Sequence, residues 1–528
     1  MHFPLLFRAV LLLYEGLVSS VLGEHIDFKE DRVLGLPYRY GEQPVHESYS
    51  GHITVRTWTP PGALPDSGQA KLFYWYFPAI APKIEKPPLL LWLQGGPGFS
   101  SMIGLFTEMG PLELTDDGEF SGPAGTRFSS VTPSANLTVD DLYPLAQRLP
   151  TNVTSAWRAK YPGRVDKYAI IESPMSKEFI VAEAQDMLYN LTFPVSQWPA
   201  HIRPFVRKFM DGLSARSSKI ANILRAQWQT VDRTSLDEQA SVGELLIPLV
   251  DNIADPFLVN NGYGPRVQAK SIWETIGLSN DENDDFVDGY ATNMRGVGKD
   301  MWTFLQRFFA RRSELQSRDF YIMSQSYGGK FAPGIATYIE HKNEELAKGA
   351  ANGQIIKLRG FIIGNGLVHP PLQVLAHGGI GFAWGLFDAD QADTVDLLAF
   401  KAASYTLAGN LEMGNEIRQM LFDYYSNVTG NVNSYDIRLR NHEYNHTHLD
   451  RGLNQQAVRR ALHSENIPYS YDWGVEYYLA KDIMRTTVTL FPHLLERGLQ
   501  IQLVQGQFDF RDGVAGNTLW INEAQWNG

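Results

Sequence analysis

The sequence contains no cysteine, which excludes disulfides, thiol catalysis and zinc–thiolate sites outright. Stability must therefore come from a buried core, and 528 residues that are 44% hydrophobic and 20% charged are enough to form one. Basic residues are in deficit, 46 Lys and Arg against 58 Asp and Glu, for a formal net charge of −12. Such an acidic balance argues against nucleic acid and anionic membrane surfaces as partners. Beyond the N-terminal region no uninterrupted run of about 18 apolar residues occurs, so no membrane span is expected. Internal repeats and long low-complexity tracts are missing too.

What is present begins with a leader-like start. Arg8 precedes apolar stretches at 9–14 and 17–22, interrupted by Glu15, with small residues up to Gly23. This pattern predicts a secretory signal over 1–23, the alternative being a buried N-terminal helix. Five Asn-x-Ser/Thr sequons, at Asn136, Asn152, Asn190, Asn427 and Asn445, are expected glycosylation sites. The two features together predict passage through the secretory pathway, to the cell exterior or to a lysosome or vacuole.

Along the chain, residues 53–58 and 72–77 read as strands separated by Pro60, Pro61 and Gly62. The apolar run 89–93 reads as a strand buried on both faces, as in a mostly parallel sheet. From about 115 to 285 the sequence shows little order and reads as an insertion or a diverged region, with a helical stretch at 201–223. The pattern then sharpens. Val297, Met301, Phe304, Leu305, Phe308 and Phe309 share one helical face. A strand at 319–323, a helix at 331–342 and a strand at 358–363 follow. A largely helical stretch from 370 to 466 comes next, then a helix at 490–497 and a strand at 501–504. Alternating strands and helices in both halves predict the α/β class with a parallel sheet. The expected division is 24–114 for the first part of the core, 115–285 for the insertion, and 286–369 for core. Residues 370–475 are expected to form a helical cap, and 476–528 to return to the core.

Two loops carry chemistry. In Asp319-Phe-Tyr-Ile-Met-Ser-Gln-Ser-Tyr-Gly-Gly-Lys-Phe-Ala-Pro333 a strand runs into a tight turn and then a helix, the context of a nucleophile elbow. The turn projects the Ser326 hydroxyl from the sheet and aims the Tyr327 N–H at a developing oxyanion. Ser324 stands where the usual Gly-x-Ser-x-Gly pattern has its first glycine. The second loop, Trp92-Leu-Gln-Gly-Gly-Pro-Gly-Phe-Ser-Ser101, closes the 89–93 strand. Its adjacent glycines expose backbone N–H groups of the kind that complete an oxyanion hole.

Together these loops resemble those of the serine carboxypeptidases. In that family a Trp-Leu-Asn-Gly-Gly-Pro-Gly-x-Ser-Ser loop precedes a Gly-Glu-Ser-Tyr-Gly-Gly elbow. Gly289-Tyr-Ala-Thr-Asn, Leu358-Arg-Gly-Phe-Ile-Ile-Gly-Asn-Gly-Leu-Val-His-Pro370, Leu453-Asn-Gln-Gln-Ala-Val-Arg-Arg-Ala-Leu-His463 and Leu503-Val-Gln-Gly-Gln-Phe-Asp509 extend the resemblance. The wording of the first loop is similar to the vitellogenic and retinoid-inducible animal branch. The resemblance implies an α/β-hydrolase fold with a helical cap, peptide or protein C-termini as substrates, and neither metal nor cofactor. Carried over position by position, it implies Ser326 as nucleophile and Asp509 as the acid that orients a histidine, with Asp512 a weaker competitor. It implies Gly96 and Tyr327 as backbone oxyanion donors, and Gln94, Glu108 and Gln325 as the holders of the substrate's terminal carboxylate.

The sequence departs from the family at four points. Gln325 replaces the elbow Glu, so one member of a usual carboxyl pair is an amide. Phe99 replaces a Cys. The strand and Asp-x-Pro-Val-Gly-Thr-Gly-Phe-Ser loop expected between Pro111 and Gly289 is unrecognisable, with residues 245–256 as its nearest trace. Finally, no His occurs in the 19 residues that follow Asp509, whereas the triad order of this fold puts His last. His493 lies on a predicted helix before the acid strand, in the wrong place. The sequence thus reads as a truncated carboxypeptidase of uncertain activity. The alternatives are a non-catalytic peptide-binding member and an acyltransferase.

Overall fold

A computed structural model of the protein describes residues 30–38, 47–59, 68–79, 85–108, 110–115, 117–121, 168–170, 285–441, 446–470 and 473–523. The expected leader, the stretches 201–223 and 245–256, and the sequons at Asn136, Asn152, Asn190 and Asn445 lie outside the described residues.

Strands β1 (Tyr49–Trp58) and β2 (Gly68–Tyr76) form an antiparallel hairpin, with both strands starting four residues earlier than their sequence pattern predicts. The main sheet is built from β3 (Leu89–Leu93) and four later strands. After β3 come helix α1 (Met102–Thr107) and the short strands β4 (Glu113–Leu114), β5 (Phe120–Ser121), β6 (Tyr168–Ile170), β7 (Phe286–Val287) and β8 (Tyr290–Ala291). Helix α2 (Met294–Arg311), strand β9 (Phe320–Gln325), helix α3 (Gly328–Ala347) and strand β10 (Leu358–Gly364) follow. The helical region holds α4 (His377–Ala383), α5 (Ala389–Leu407) and α6 (Leu411–Thr429), and the chain returns through α7 (Leu490–Glu496), β11 (Gln500–Val504) and α8 (Val514–Glu523). The sheet order is β3-β9-β10-β11-β6, with every neighbouring pair parallel. The α/β class with a parallel sheet is as expected. β6, from the interval that shows little order in sequence, joins it beside β11.

One expectation is corrected. The 89–93 run reads in sequence as buried on both faces, but among the described residues β3 is the edge of the sheet, and Leu90 is 38% exposed. An unbroken apolar run does not by itself distinguish a central strand from an edge strand with one covered face.

Local chemistry sets the helix boundaries. Asn293 caps α2 by accepting from the Gly296 N–H at 3.0 Å. The predicted stripe of α2 is buried at Met301, Phe304, Leu305, Phe308 and Phe309, and Phe304 and Phe308 meet Tyr74 of the hairpin edge-on. Asp388 and Gln391 form a capping box that opens α5, and Gly430, at φ 64, closes α6. Helix α3 contains Pro333, whose ring nitrogen cannot bond the Gly329 carbonyl four residues back. The Thr487 hydroxyl fills that gap, donating to the Gly329 carbonyl at 2.7 Å. One large core runs from the hairpin through the sheet to the helical region. A smaller cluster joins Ile103, Phe106 and Phe120 to Leu449, Leu453 and Val458. Among the described residues no helix is long and apolar enough to cross a membrane.

Candidate active site

Ser326 lies between the last residue of β9 and Tyr327, the cap of α3. Its φ is 57, a left-handed conformation that a non-glycine residue adopts at a cost of about 1–3 kcal/mol. The turn is held from three sides. The Ser326 N–H donates to the Gly364 carbonyl, and the Ser326 carbonyl accepts from the N–H groups of Gly329 and Leu367, each at 2.9 Å. Ser324, fully buried, donates through its hydroxyl to the Gly328 carbonyl at 3.0 Å. Its side chain occupies the place into which a Cβ on Gly328 would project. A serine at the first position of the pattern is therefore accommodated by leaving the second as glycine.

The loop after β3 packs directly on this turn. A Cβ at Gly95 would sit 2.6 Å from the Gln325 carbonyl oxygen and 2.8 Å from both Ser326 Cβ and the Tyr327 nitrogen. Only glycine allows that approach. Gly96 follows with φ 119, again a glycine conformation. The structure thus brings Gly95 to the elbow, against the Tyr327 nitrogen, with Gly96 next along the same loop.

Gln94, Glu108 and Gln325 form a connected cluster next to Ser326. Gln94 Nε2 donates to Gln325 Oε1 at 2.9 Å and to Glu108 Oε1 at 3.4 Å. With its amide turned over, Gln325 donates instead to both Glu108 oxygens at 2.8 Å. Burial pushes the Glu108 carboxyl up to about 7, against the opposing pull of the Gln94 hydrogen bond. These three side chains come from the loop after β3, the end of α1 and the end of β9. They are the same three that the resemblance groups as carboxylate holders.

Asp509 lies in the loop beyond β11, a strand two places from β9 in the sheet; the two strands are about 10 Å apart at the usual spacing. Its Oδ1 accepts from the N–H groups of Arg511 at 2.7 Å and Asp512 at 3.1 Å, and its Oδ2 accepts from Asn365 Nδ2 at 2.7 Å. Burial, and next the nearby Asp512, push its carboxyl up to about 8. The competitor Asp512 is buried in an ion pair with Arg418, at 3.5 Å, so it is turned to another task. Among the described residues no imidazole hydrogen-bonds Asp509. His377 reaches the same loop, but its ring nitrogens lie 2.8 Å from the Val374 carbonyl and 3.0 Å from the Arg511 carbonyl. His493 is exposed on α7, ahead of the acid strand.

Sequence reasoning misses the supports of the site. Tyr327 is buried and donates through its phenol to Asp482 Oδ2 at 3.0 Å, and Asp482 in turn meets Arg485 Nε at 3.1 Å. Lys330 is fully buried, with Nζ on the carbonyls of Val368 and Arg485. Burial lowers its ammonium to about 7. No motif marks these roles, and only the fold assembles them. Among the described residues no group of three or more His, Cys, Asp or Glu side chains is placed to hold a metal ion.

Comparison with known proteins places this geometry. The sequence profile of the serine carboxypeptidases matches residues 40–125 and 275–528. A probable serine carboxypeptidase, CPVL, of Dictyostelium discoideum is 29% identical over 248 residues, which are 46% of this chain and 48% of the relative. Serine carboxypeptidase-like 49 of Arabidopsis thaliana is 31% identical over 243 residues, 44% of this chain and 46% of the relative. The chain spans about half the length of the curated relatives it matches. The crystal structure of Kex1, a prohormone-processing carboxypeptidase from Saccharomyces cerevisiae, superimposes with a TM-score of 0.55 at 17% identity, covering 95% of this chain and 83% of that one. The fold is that of the α/β-hydrolases.

Proposed function

The chain belongs to the serine carboxypeptidase family, and from that premise we propose that its site is built to release C-terminal residues from peptides through an acyl-enzyme. Ser326 Oγ attacks the carbonyl carbon of the last peptide bond. The N–H groups of Gly96 and Tyr327 receive the oxyanion. The terminal amino acid leaves with a proton, and water then hydrolyses the ester on Ser326. Gln94, Glu108 and Gln325 hold the free carboxylate that marks the end of the substrate. Asp509 orients the base that moves the proton. The observation that carries this reading is Ser326 at φ 57 on a strand–helix turn, with Gly95 seated against it.

Asp509 holds no imidazole among the described residues, and on that ground slow turnover is expected. Loss of a triad base costs on the order of a millionfold in kcat. The test uses a blocked dipeptide acid and its amide. Slow release from the acid, abolished by Ser326→Ala, supports the reading. Release at full family rates would show that another group supplies the base, and release unaffected by Ser326→Ala would remove Ser326 from the mechanism.

A second reading is a member that holds peptide C-termini without turning them over. The connected Gln94–Glu108–Gln325 cluster, with no imidazole on Asp509 among the described residues, favours it. Tight binding of the peptide acid over the amide, with no product from either, would establish that reading. We also place the protein on the secretory route. Asn427 is exposed on the last turn of α6, and a mass shift on glycosidase treatment of the protein from a secreting cell, lost from Asn427→Gln, checks it as an acceptor.

A further inference from the structure

Asn365 stands between the elbow and the acid. The residue before it, Gly364, ends β10, and its carbonyl accepts the Ser326 N–H at 2.9 Å. The N–H of Asn365 itself donates to the carbonyl of Val504, the last residue of β11, at 2.9 Å. The side chain then reaches into the acid loop. Oδ1 accepts from the Gly506 N–H at 2.8 Å, and Nδ2 donates to Asp509 Oδ2 at 2.7 Å. The backbone donor at Gly506 fixes which end of the amide is oxygen, so the end facing Asp509 is a donor. Since the other Asp509 oxygen is taken by two backbone N–H groups of its own loop, Asn365 is the one side-chain donor to this carboxylate among the described residues.

The backbone narrows the choice of residue further. Asn365 has φ 43, a region that Gly, Asn and Asp enter readily and other residues do not. Glycine would bring no donor. Aspartate would set a second carboxylate against the first. Asparagine alone supplies both the backbone conformation and the hydrogen bond.

We propose that Asn365 is a positioning residue that fixes the Asp509 carboxylate relative to Ser326, one amide coupling the strand beside the elbow to the acid loop. This rests on the reading of Asp509 as the orienting acid. Among the described residues, the other charged or titratable groups near Asp509 are Arg511 and Asp512 on its own loop and Tyr425 on α6, while His377 on α4 meets the loop at the Arg511 carbonyl.

The test is a carboxyl-carbon NMR titration of Asp509 in the 528-residue chain, assigned by its loss in Asp509→Asn. Asn365→Gly keeps the backbone conformation and removes the donor. Because that donor favours the charged carboxylate, its loss is expected to raise the Asp509 midpoint by about one unit or more. Asn365→Ala removes the donor without adding a charge, and decides the matter with the same upward shift if Asn365→Gly does not fold. A midpoint that stays put in a folded variant overturns the proposal. Turnover of the blocked dipeptide is read separately. A fall in kcat with KM retained in Asn365→Gly supports positioning, and unchanged kcat overturns it. Unchanged turnover in Asp509→Asn would defeat the acid assignment itself, whatever happens to the titration.

Discussion

The elbow and the acid loop respond to different constraints. At the elbow, backbone hydrogen bonds hold the turn and close packing limits what fits: Gly95 and Gly328 leave no room for a side chain beside Ser326 at φ 57. In the acid loop, position is set by attraction: three donors converge on Asp509, a carboxyl that burial and Asp512 have pushed up to about 8. A sterically defined site tolerates change of pH and fails on added volume. A site defined by hydrogen bonds to a buried carboxyl tolerates small changes in volume and responds to protons. The two halves of one proposed mechanism should therefore break under different perturbations.

The largest expected effect is electrostatic. The Asp509 carboxyl titrates at about 8 in the native state, against about 3.9 in an unfolded chain. Below the lower value both states hold the proton and no penalty exists. As pH rises between the two values the unfolded state releases its proton and the native state keeps it. Stability attributable to this group is thus lost progressively between about pH 4 and pH 8. Over about four units, at about 1.36 kcal/mol per unit, the loss is on the order of 5–6 kcal/mol. Asp509→Asn removes the titration and should flatten this part of the decline. Chemical denaturation of both proteins from pH 4 to pH 8.5 checks it, and parallel curves would show that Asp509 ionises normally.

The next effect is steric. Gly328→Ala drives a methyl group into the Ser324 side chain, which is fully buried and bonded to the Gly328 carbonyl. Overpacking of this kind costs about 1–3 kcal/mol, and here the cost should not vary with pH. Pairing it with Ser324→Gly, which restores the usual small residue, should recover most of the loss. If Ser324→Gly gives no recovery, the two residues do not share the space that the structure assigns them.

This contrast also explains what is legible in the sequence. Steric requirements leave glycines in fixed order, so Gly95, Gly96 and Gly328 mark both loops in the residue order itself. The 3.6-residue stripe of α2 and the strand–helix alternation of the second half are visible for the same reason, since local periodicity is written locally. The supports are different. Asn365 shows only as part of a strand ending, and nothing singles out Asp482, Thr487 or Lys330, because each acts on a residue distant in sequence. Thr487 completes the helix bond that Pro333 removes 154 residues earlier, a partnership no spacing rule anticipates. The edge position of β3 is unreadable too, since pairing depends on strands elsewhere in the chain.

The smallest effect separates the carboxylate cluster from both loops, because it is neither purely steric nor purely ionic. From residue types alone, a Gln at 325 should blunt pH dependence, as an amide cannot ionise and no second carboxyl raises Glu108 by repulsion. The structure changes the expected range: burial alone holds Glu108 near 7. Below that pH a protonated Glu108 can donate to the Gln325 oxygen. Above it the ionised carboxylate calls for the reversed amide, with Nε2 facing Glu108. The amide adjusts to either state, but a bound peptide carboxylate meets one added negative charge once Glu108 ionises. Affinity for a peptide acid should therefore weaken above about pH 7, at most tenfold per pH unit because a single proton is involved, while a peptide amide is unaffected. Gln325→Glu places a second carboxyl against the first. The pair then shares a proton, begins to ionise at lower pH, and repels the ligand with two charges when both are ionised. Binding of the acid by the variant should start to weaken at lower pH and lose more in total. Calorimetry with the peptide acid from pH 5 to pH 8.5 measures this without any turnover. Superimposable profiles for parent and variant would place Gln325 outside the carboxylate site, and a peptide amide that follows the acid's profile would show that the pH dependence has another source.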